Sequence, residues 1–560
     1  MPVRPQVPTA MRLFITSKTF EGDGGLQSEP HYGTQYLLED LEPAQLARWA
    51  AAAPIAELHY PPPNDFIAAN FDLKAPPADV ADPAMATVPR LLQDTPRCKL
   101  WHKQDTTFLL PKGRIAFVLT SPIAYTDPER SAMTRLFADM FKDALNEFAY
   151  DAELSGIQYS VNSTQYGIDI SVSGYHDKLP DFLYTVVERL VTLRVDAERF
   201  PLIKDTYQRS LRSFKSSEPV SLSSFMLTRL LSEKVFAHDE IRAALEGIDC
   251  AKVQAFIPVL LNRLHLEGFV YGNFTEQNAR QIAARVDGIF GALSPGAPLL
   301  TSEREHFRLH KLEAKPHIYR ELTTVHKICC VKMYYQVGPD NQRSNALLNL
   351  FVQLTYEHFF DVLRTKEALG YNVYAQAHRS CGVRGFQMSV QSNRDPEHVE
   401  SRMRAWITAV PDYIKALTDE QYANHVQALS TKLLEKPKRM MTEYTKYWSE
   451  IIGGFYVFDR ALLANEVVVS ATKAELLEFV NKHFKLGSPH CRELVVHVFP
   501  AEGETPAAAL QDAPAAAEPI VVDATVIEDV TQFKQGLGLH PLSLAKQHDV
   551  IPEVVHKAGL

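Results

Sequence analysis

The chain has 560 residues, 46% hydrophobic and 22% charged, with a net charge of −9. This is ordinary globular composition, enough for about three domains at roughly 100–200 residues each. The acidic balance argues against a nucleic-acid coat or a polybasic membrane binder, and no run of 18 apolar residues marks a membrane span. Six cysteines, at 98, 250, 329, 330, 381 and 491, form no CxxC and no short-spaced Cys/His cluster, which disfavours a zinc ribbon. So few thiols in so long a chain fit a reduced, cytoplasmic protein. The start MPVRPQVPTAMRLFITSK lacks an apolar signal core, so the sequons at Asn162 and Asn273 are expected to stay unglycosylated. The final KAGL is a poor peroxisomal signal.

In chain order, MRLFITSKTF suggests a strand and DLEPAQLARWAAA a short helix, too little for a domain. Residues 1–53 therefore have the look of the tail of a preceding domain. Residues 54–89 are proline-rich, and prolines fix φ and remove donors, which predicts an extended linker partly docked through Phe66, Ile67 and Phe71.

An internal repeat follows. Met133, Leu136, Phe137, Met140, Phe141, Ala144, Leu145 and Phe148 form one apolar helix face. AELSGIQYSV and the alternating YGIDISVSGY then predict a hairpin. Shifted by 214 residues, Leu347, Leu350, Phe351 and Leu354 repeat the face, and EALGYNVYA and RGFQMSVQSN repeat the hairpin after a four-residue insertion. Glu153 and Gly156 match Glu367 and Gly370. The pattern predicts an α+β fold (α/β sandwich) of two homologous domains, 90–305 and 306–560, with mostly antiparallel sheets packed by helices. Further helices are expected at 183–195, 219–232 and 418–455. The Ala/Pro-rich EGETPAAALQDAPAAAEP, 502–519, predicts a surface loop.

No complete catalytic apparatus is visible. Neither HExxH nor HxxEH occurs, and GxSxG, a P-loop and GxGxxG are absent. The nearest zinc-like pattern is Leu354-Thr-Tyr-Glu357-His358, with leucine in place of the first ligand, which fits a packed helix better. His326 beside Cys329 and Cys330 fits a buried strand better than metal or thiol chemistry.

The ordered motifs SKTFEGDGG, HYGTQY, NDFIAANF, KLWHKQDTTFLLPK, LNEFAYDAELSGIQYSV, AFIPVLLNRLHLEGFVYGN, LRTKEALGY, KLLEKPKR, TKYWSEI and FKQGLGLHPL run nearly end to end. With them the chain resembles the C-terminal half of insulysin-like inverted-zincin metallopeptidases, the family of pitrilysin and nardilysin. The resemblance implies four homologous domains in two bowl-shaped halves around a chamber that takes small peptides. Zinc and the HxxEH helix would belong to an N-terminal half, the partner of this one, leaving no metal site in this chain. Arg364 and Tyr371 match catalytic residues that reach the substrate, and Phe360 and Tyr374 match the lining of a substrate-binding pocket. Tyr150 and Ile157 stand at the positions of Arg364 and Tyr371 in the first repeat, so the repeat itself does not demand that pair. Lys436, Lys438 and Arg439, with Lys432 and Lys446, lie on a predicted helical stretch and match a wall that attracts polyanions. A homodimer is compatible with the resemblance; nucleic acid and membrane are not expected partners. The alternative is a non-catalytic peptide-binding or regulatory subunit of the same superfamily.

Overall fold

The computed structural model describes residues 8–20, 22, 24–53, 63–75, 88–293, 297–304, 307–323, 325–501 and 522–542. The predicted loop 502–519 and parts of the predicted linker lie outside these residues. The chain forms two compact units, Met1–Asn64 and Asp65–Leu560. The smaller holds a two-stranded hairpin, β1 (Gln27–Ser28) and β2 (Gln35–Tyr36), and the helix α1 (Pro43–Ala50).

In the larger unit, residues 65–75 are held down rather than free. Phe66 sits edge-on to Phe148 and Phe182, 5.4 Å from each, and the amides of Ala69 and Asn70 donate to Asp177 Oδ2 at 2.9 and 3.2 Å. Phe71 packs edge-on to Tyr175 at 5.1 Å, while Ile67 is exposed.

The first repeat begins with β3 (Arg90–Asp94), β4 (Cys98–Gln104) and β5 (Lys112–Thr120). Helix α2 (Pro128–Leu154) follows; Asp127 caps it by accepting from the Arg130 amide, and Pro128 suits its first turn. Then come β6 (Gln158–Ser163), β7 (Gly167–Tyr175), α3 (Leu179–Val191), α4 (Phe200–Ser213), α5 (Pro219–Leu231), α6 (His238–Glu246), α7 (Cys250–Asn262), β8 (His265–Gly272) and α8 (Glu276–Leu293). The second repeat runs β9 (His310–Lys311), β10 (Pro316–Leu322), β11 (Cys329–Pro339), α9 (Gln342–Phe360), a π-helical turn (Asp361–Lys366), β12 (Asn372–Ser380) and β13 (Val383–Ser392). It continues with α10 (Pro396–Ala416), α11 (Asp419–Leu433), α12 (Met440–Ile452), α13 (Arg460–Ser470), α14 (Lys473–His483), β14 (Glu493–Phe499), β15 (Thr525–Ile527), α15 (Val530–Gln535) and β16 (Gly538–Leu539).

The repeat is visible in the topology. Sheet 1 has the order β3-β4-β8-β5-β7-β6 and sheet 2 the order β15-β10-β14-β11-β13-β12. In each, the second and third strands are parallel, and the next three pairings are antiparallel. Only the first strand differs: β3 comes from the beginning of its repeat and runs antiparallel, whereas β15 comes from the end and runs parallel. This is the expected α+β architecture of helices against mostly antiparallel sheets. No helix among the described residues is long and apolar enough to cross a membrane.

One face of each sheet carries its own helices. Phe137, Phe141, Phe182 and Val186 of α2 and α3 meet Ile115, Phe117 and Ile170 of sheet 1; Leu350, Phe351, Met403 and Ile407 of α9 and α10 meet Met333, Phe386 and Met388 of sheet 2. The opposite faces are covered by exchange. Leu222, Leu227, Leu230 and Leu231 of α5 pack on Cys330, Tyr334, Leu494, Val496 and Val498 of sheet 2. Reciprocally, Tyr444, Tyr447 and Ile451 of α12 pack on Trp101, Ala116, Phe269 and Tyr271 of sheet 1. The donated helices are topological equivalents, each the third helix after its repeat's central hairpin.

The helix predicted over 418–455 is two helices. Pro437 lacks an amide proton and disfavours helical backbone at Lys436, and residues 434–439 break the run. The helix predicted at 183–195 lies one turn earlier, where Leu179 and Phe182 extend its buried face.

The exchange brings one buried charge pair across the repeats. Lys103 on β4 is 2% exposed and places Nζ 3.1 Å from Glu443 Oε1 on α12; Tyr271 donates its hydroxyl to the other carboxylate oxygen. Removing one member leaves a buried charge without its partner. Glu443→Ala is expected to lower the unfolding free energy by about 3–5 kcal/mol in a denaturant titration, and pairing it with Lys103→Met is expected to restore most of the loss.

Candidate functional site

The stretch 360–374 joins α9 to the hairpin. Asn341 starts α9 by accepting from the Ser344 amide at 3.1 Å, and Leu347, Leu350, Phe351 and Leu354 bury its inner face. At Asp361 the helix widens into a π turn, closed by the Glu367 amide donating to the Val362 carbonyl five residues back, at 2.9 Å. Its counterpart α2 is regular α-helix through the equivalent residues. A π turn carries an extra residue and re-aims the side chains that follow, and such turns concentrate at functional sites. Here it carries Arg364.

The turn after it is tied down on every side. Glu367 receives two hydrogen bonds from Arg402, at 2.8 and 2.7 Å, and this carboxylate raises the Arg402 pKa. The Leu369 amide donates to the Leu363 carbonyl at 2.9 Å, and the Ser392 hydroxyl donates to the Leu369 carbonyl. Gly370 is required by space: a Cβ there would lie 1.9 Å from the Gln391 carbonyl oxygen. This explains the match of Gly370 with Gly156 only in part, because Gly156 answers a different demand, a φ of +88°.

Three of the four predicted substrate-facing residues come together. The Arg364 guanidinium lies 4.6 Å from the Phe360 ring centroid and 4.6 Å from that of Tyr371. Stacking on two rings holds a planar cation without consuming its hydrogen-bond donors. Arg364 makes no ion pair among the described residues, so its donors are available. Tyr371 is 80% exposed, whereas Ile157, its counterpart in the first repeat, is 2% exposed in the core. The same repeat position is thus a packing residue in one unit and a displayed phenol in the other.

Tyr374 stands apart from this stack. It is half-buried on the face of sheet 2 away from α9, with Lys332 Nζ 5.8 Å from its ring centroid; Lys332 in turn donates to Ser224 of α5.

The basic run requires a correction. Lys436, Lys438 and Arg439 are exposed, but they occupy the connection between α11 and α12 and not a helical stretch, for the reason given by Pro437. Lys438 is also engaged by Glu435 at 2.6 Å. The run therefore presents no single helical stripe of charge.

The residues nearest to zinc ligands are packing groups. Leu354 is in the core. His358 accepts from Trp406 Nε1 through Nδ1 at 3.0 Å, stacks 4.0 Å from Tyr413, and burial lowers its pKa. His326 bonds the Ser216 carbonyl at 3.0 Å. Burial pushes the Cys329 thiol up to about 12, leaving a poor thiolate. Among the described residues, no group of three His, Cys, Asp or Glu side chains could hold a metal ion, so these residues do not fit a zinc site.

What sequence reasoning missed is the π turn and the Glu367–Arg402 clamp. The recurrence of Glu153 and Glu367 was a signal for the latter. If Arg364 and Tyr371 serve function rather than folding, Arg364→Ala and Tyr371→Phe should each shift the unfolding free energy by less than about 0.5 kcal/mol, as surface changes do. Gly370→Ala should cost about 1–3 kcal/mol through overpacking, measured in the same titration.

Comparison with known proteins places the site in a family. Residues 7–244 match the family model "Middle or third domain of peptidase_M16", and residues 350–448 match "PQQ synthase PqqF-like, C-terminal lobe domain 4". Insulin-degrading enzyme from Homo sapiens is 36% identical over 96% of this chain and 52% of its own length. The Arabidopsis thaliana protein "Insulin-degrading enzyme-like 1, peroxisomal" is 29% identical over 95% of this chain and 54% of its own. The crystal structure of pitrilysin superposes with a TM-score of 0.75 at 20% identity, covering 92% of this chain and 53% of that one. The chain spans about half the length of the curated relatives it matches. These likenesses show that the chain belongs to the M16 peptidases, zinc-dependent metallopeptidases, in their insulin-degrading-enzyme (insulysin) group.

Proposed function

We propose that this chain is the substrate-gripping C-terminal half of an insulysin-like zinc metalloendopeptidase that degrades small, unfolded peptides inside a closed chamber. The observation that carries this reading is the uncommitted Arg364 guanidinium, stacked between Phe360 and the exposed Tyr371 on a π turn that the first repeat lacks. A structural subunit gains nothing from displaying a phenol where its sister repeat buries an isoleucine.

The assignment of roles follows from chemistry. Tyr371 is a neutral donor near the chain's surface, suited to a carbonyl oxygen that becomes an oxyanion as the scissile bond is attacked. Arg364 offers fixed, charged donors to a neighbouring main-chain carbonyl, oriented by the two rings. Phe360 supplies apolar surface beside them. Zinc and water activation fall to an N-terminal half bearing HxxEH, in the same polypeptide or a separate one; no residue group described in this chain fits that task. The exposed Lys436, Lys438 and Arg439 offer polyanions a contact on a connection rather than on a helix. A reducing compartment such as the cytoplasm agrees with the buried thiols of Cys98, Cys329, Cys330 and Cys491.

The test uses the enzyme with both halves present. Tyr371→Phe is expected to lower kcat about 10²–10³-fold, the loss typical of one oxyanion donor. Unchanged turnover would remove Tyr371 from the mechanism.

A further inference from the structure

We propose that the outer edge of β12 is a peptide-binding edge, to which an extended stretch of substrate adds as a further strand of sheet 2. The proposal rests on the peptide-gripping reading above and specifies how the peptide is held.

An unpaired sheet edge is a template for another chain, and proteins usually shorten, kink or charge it. Three of the four outer edges of the two large sheets are managed in this way. β15 has three residues, β3 has five with a register shift between Leu91 and Gln93, and β6 has six. β12 has nine residues in unbroken register with β13, from Asn372 opposite Gln391 to Ser380 opposite Val383. Its first seven residues, Asn-Val-Tyr-Ala-Gln-Ala-His, include no proline, lysine, arginine or acid. Among the described residues only β13 and α9 pack extensively against it. The inserted four residues lie in this hairpin, and its ladder pairs nine residues where the first repeat pairs six.

The turn fixes which groups face outward. Cys381 and Gly382 have φ of 46° and 76°, the two positive values of a two-residue type I′ turn, which makes Ser380 and Val383 a hydrogen-bonded pair. Bonding then alternates along the strand: Asn372, Tyr374, Gln376 and His378 bond toward β13, and the amides and carbonyls of Val373, Ala375 and Ala377 point away from the sheet. The side chains of those three turn into the α9 side of the sheet and are small, so nothing shields their backbone. The edge begins one residue beyond Tyr371. A peptide paired along it passes directly by the Arg364–Tyr371 stack, with alternate side chains beside Tyr374 on the other face.

Recognition of this kind takes its affinity from main-chain hydrogen bonds and demands an extended segment, so the ligand class is unfolded peptide of permissive sequence and not helical or folded protein. The test is residue-resolved amide exchange of this chain with reduced, carboxymethylated insulin B chain as the probe. The amides of Val373, Ala375 and Ala377 are expected to exchange at least about tenfold more slowly with peptide, while those of Tyr374 and Gln376, already bonded to β13, stay unchanged. No change, or uniform slowing from 372 to 380, overturns the proposal. Slowing that appears without peptide and grows with protein concentration also overturns it, since the edge would then belong to a second copy. Loss of turnover in Tyr371→Phe with unprotected edge amides refutes the edge alone; protected edge amides with unchanged turnover refute the catalytic reading alone.

Discussion

The exchange of helices between the two repeats is the constraint on which the rest depends. A sheet packed on one side by its own helices still has a second face to cover. Here α5 of the first repeat covers sheet 2, and α12 of the second covers sheet 1. Neither repeat can bury both faces of its sheet alone, so the two behave as one body, and the division found within the chain falls at Asn64 rather than between the repeats. The Lys103–Glu443 pair lies inside this exchange and couples charge balance to it.

That rigidity matters for the site. The hairpin that carries Tyr371 at its start is backed on one face by α9 and on the other by the donated α5. The turn before it is clamped by Arg402 and Ser392 and leaves no room for a Cβ at residue 370. A stacked guanidinium and an exposed phenol are thus displayed from fixed backbone, as a site requires when its task is to hold rather than to react.

Much of this was legible in the sequence. The apolar face of α2 and α9 recurs because a helix on a sheet needs a stripe every three to four residues, and the strands alternate because one face is buried more deeply than the other. The position of Arg364 and Tyr371 on a helix end and a following turn was equally plain. Other features were hidden for physical reasons. Apolar spacing cannot distinguish a helix that packs on its own sheet from one donated to a neighbour, so the α5 and α12 exchange was invisible. A π turn changes backbone hydrogen bonding by one residue and leaves the local composition untouched. The break at Pro437 was readable but outweighed by the long periodic run around it, and the basic residues were put on a helix in consequence. Tyr374 sits three residues from Tyr371, but strand alternation and its contact with Lys332 separate it from the stack.

The account divides labour: this chain grips, and the cutting chemistry lies in residues it does not contain. The most direct test is the zinc content and peptide hydrolysis of the purified chain alone, set against the same chain mixed with an HxxEH-bearing N-terminal half. The account predicts neither stoichiometric zinc nor hydrolysis from the chain alone, and both from the mixture. A zinc-loaded preparation of this chain that cleaves peptides by itself would contradict it.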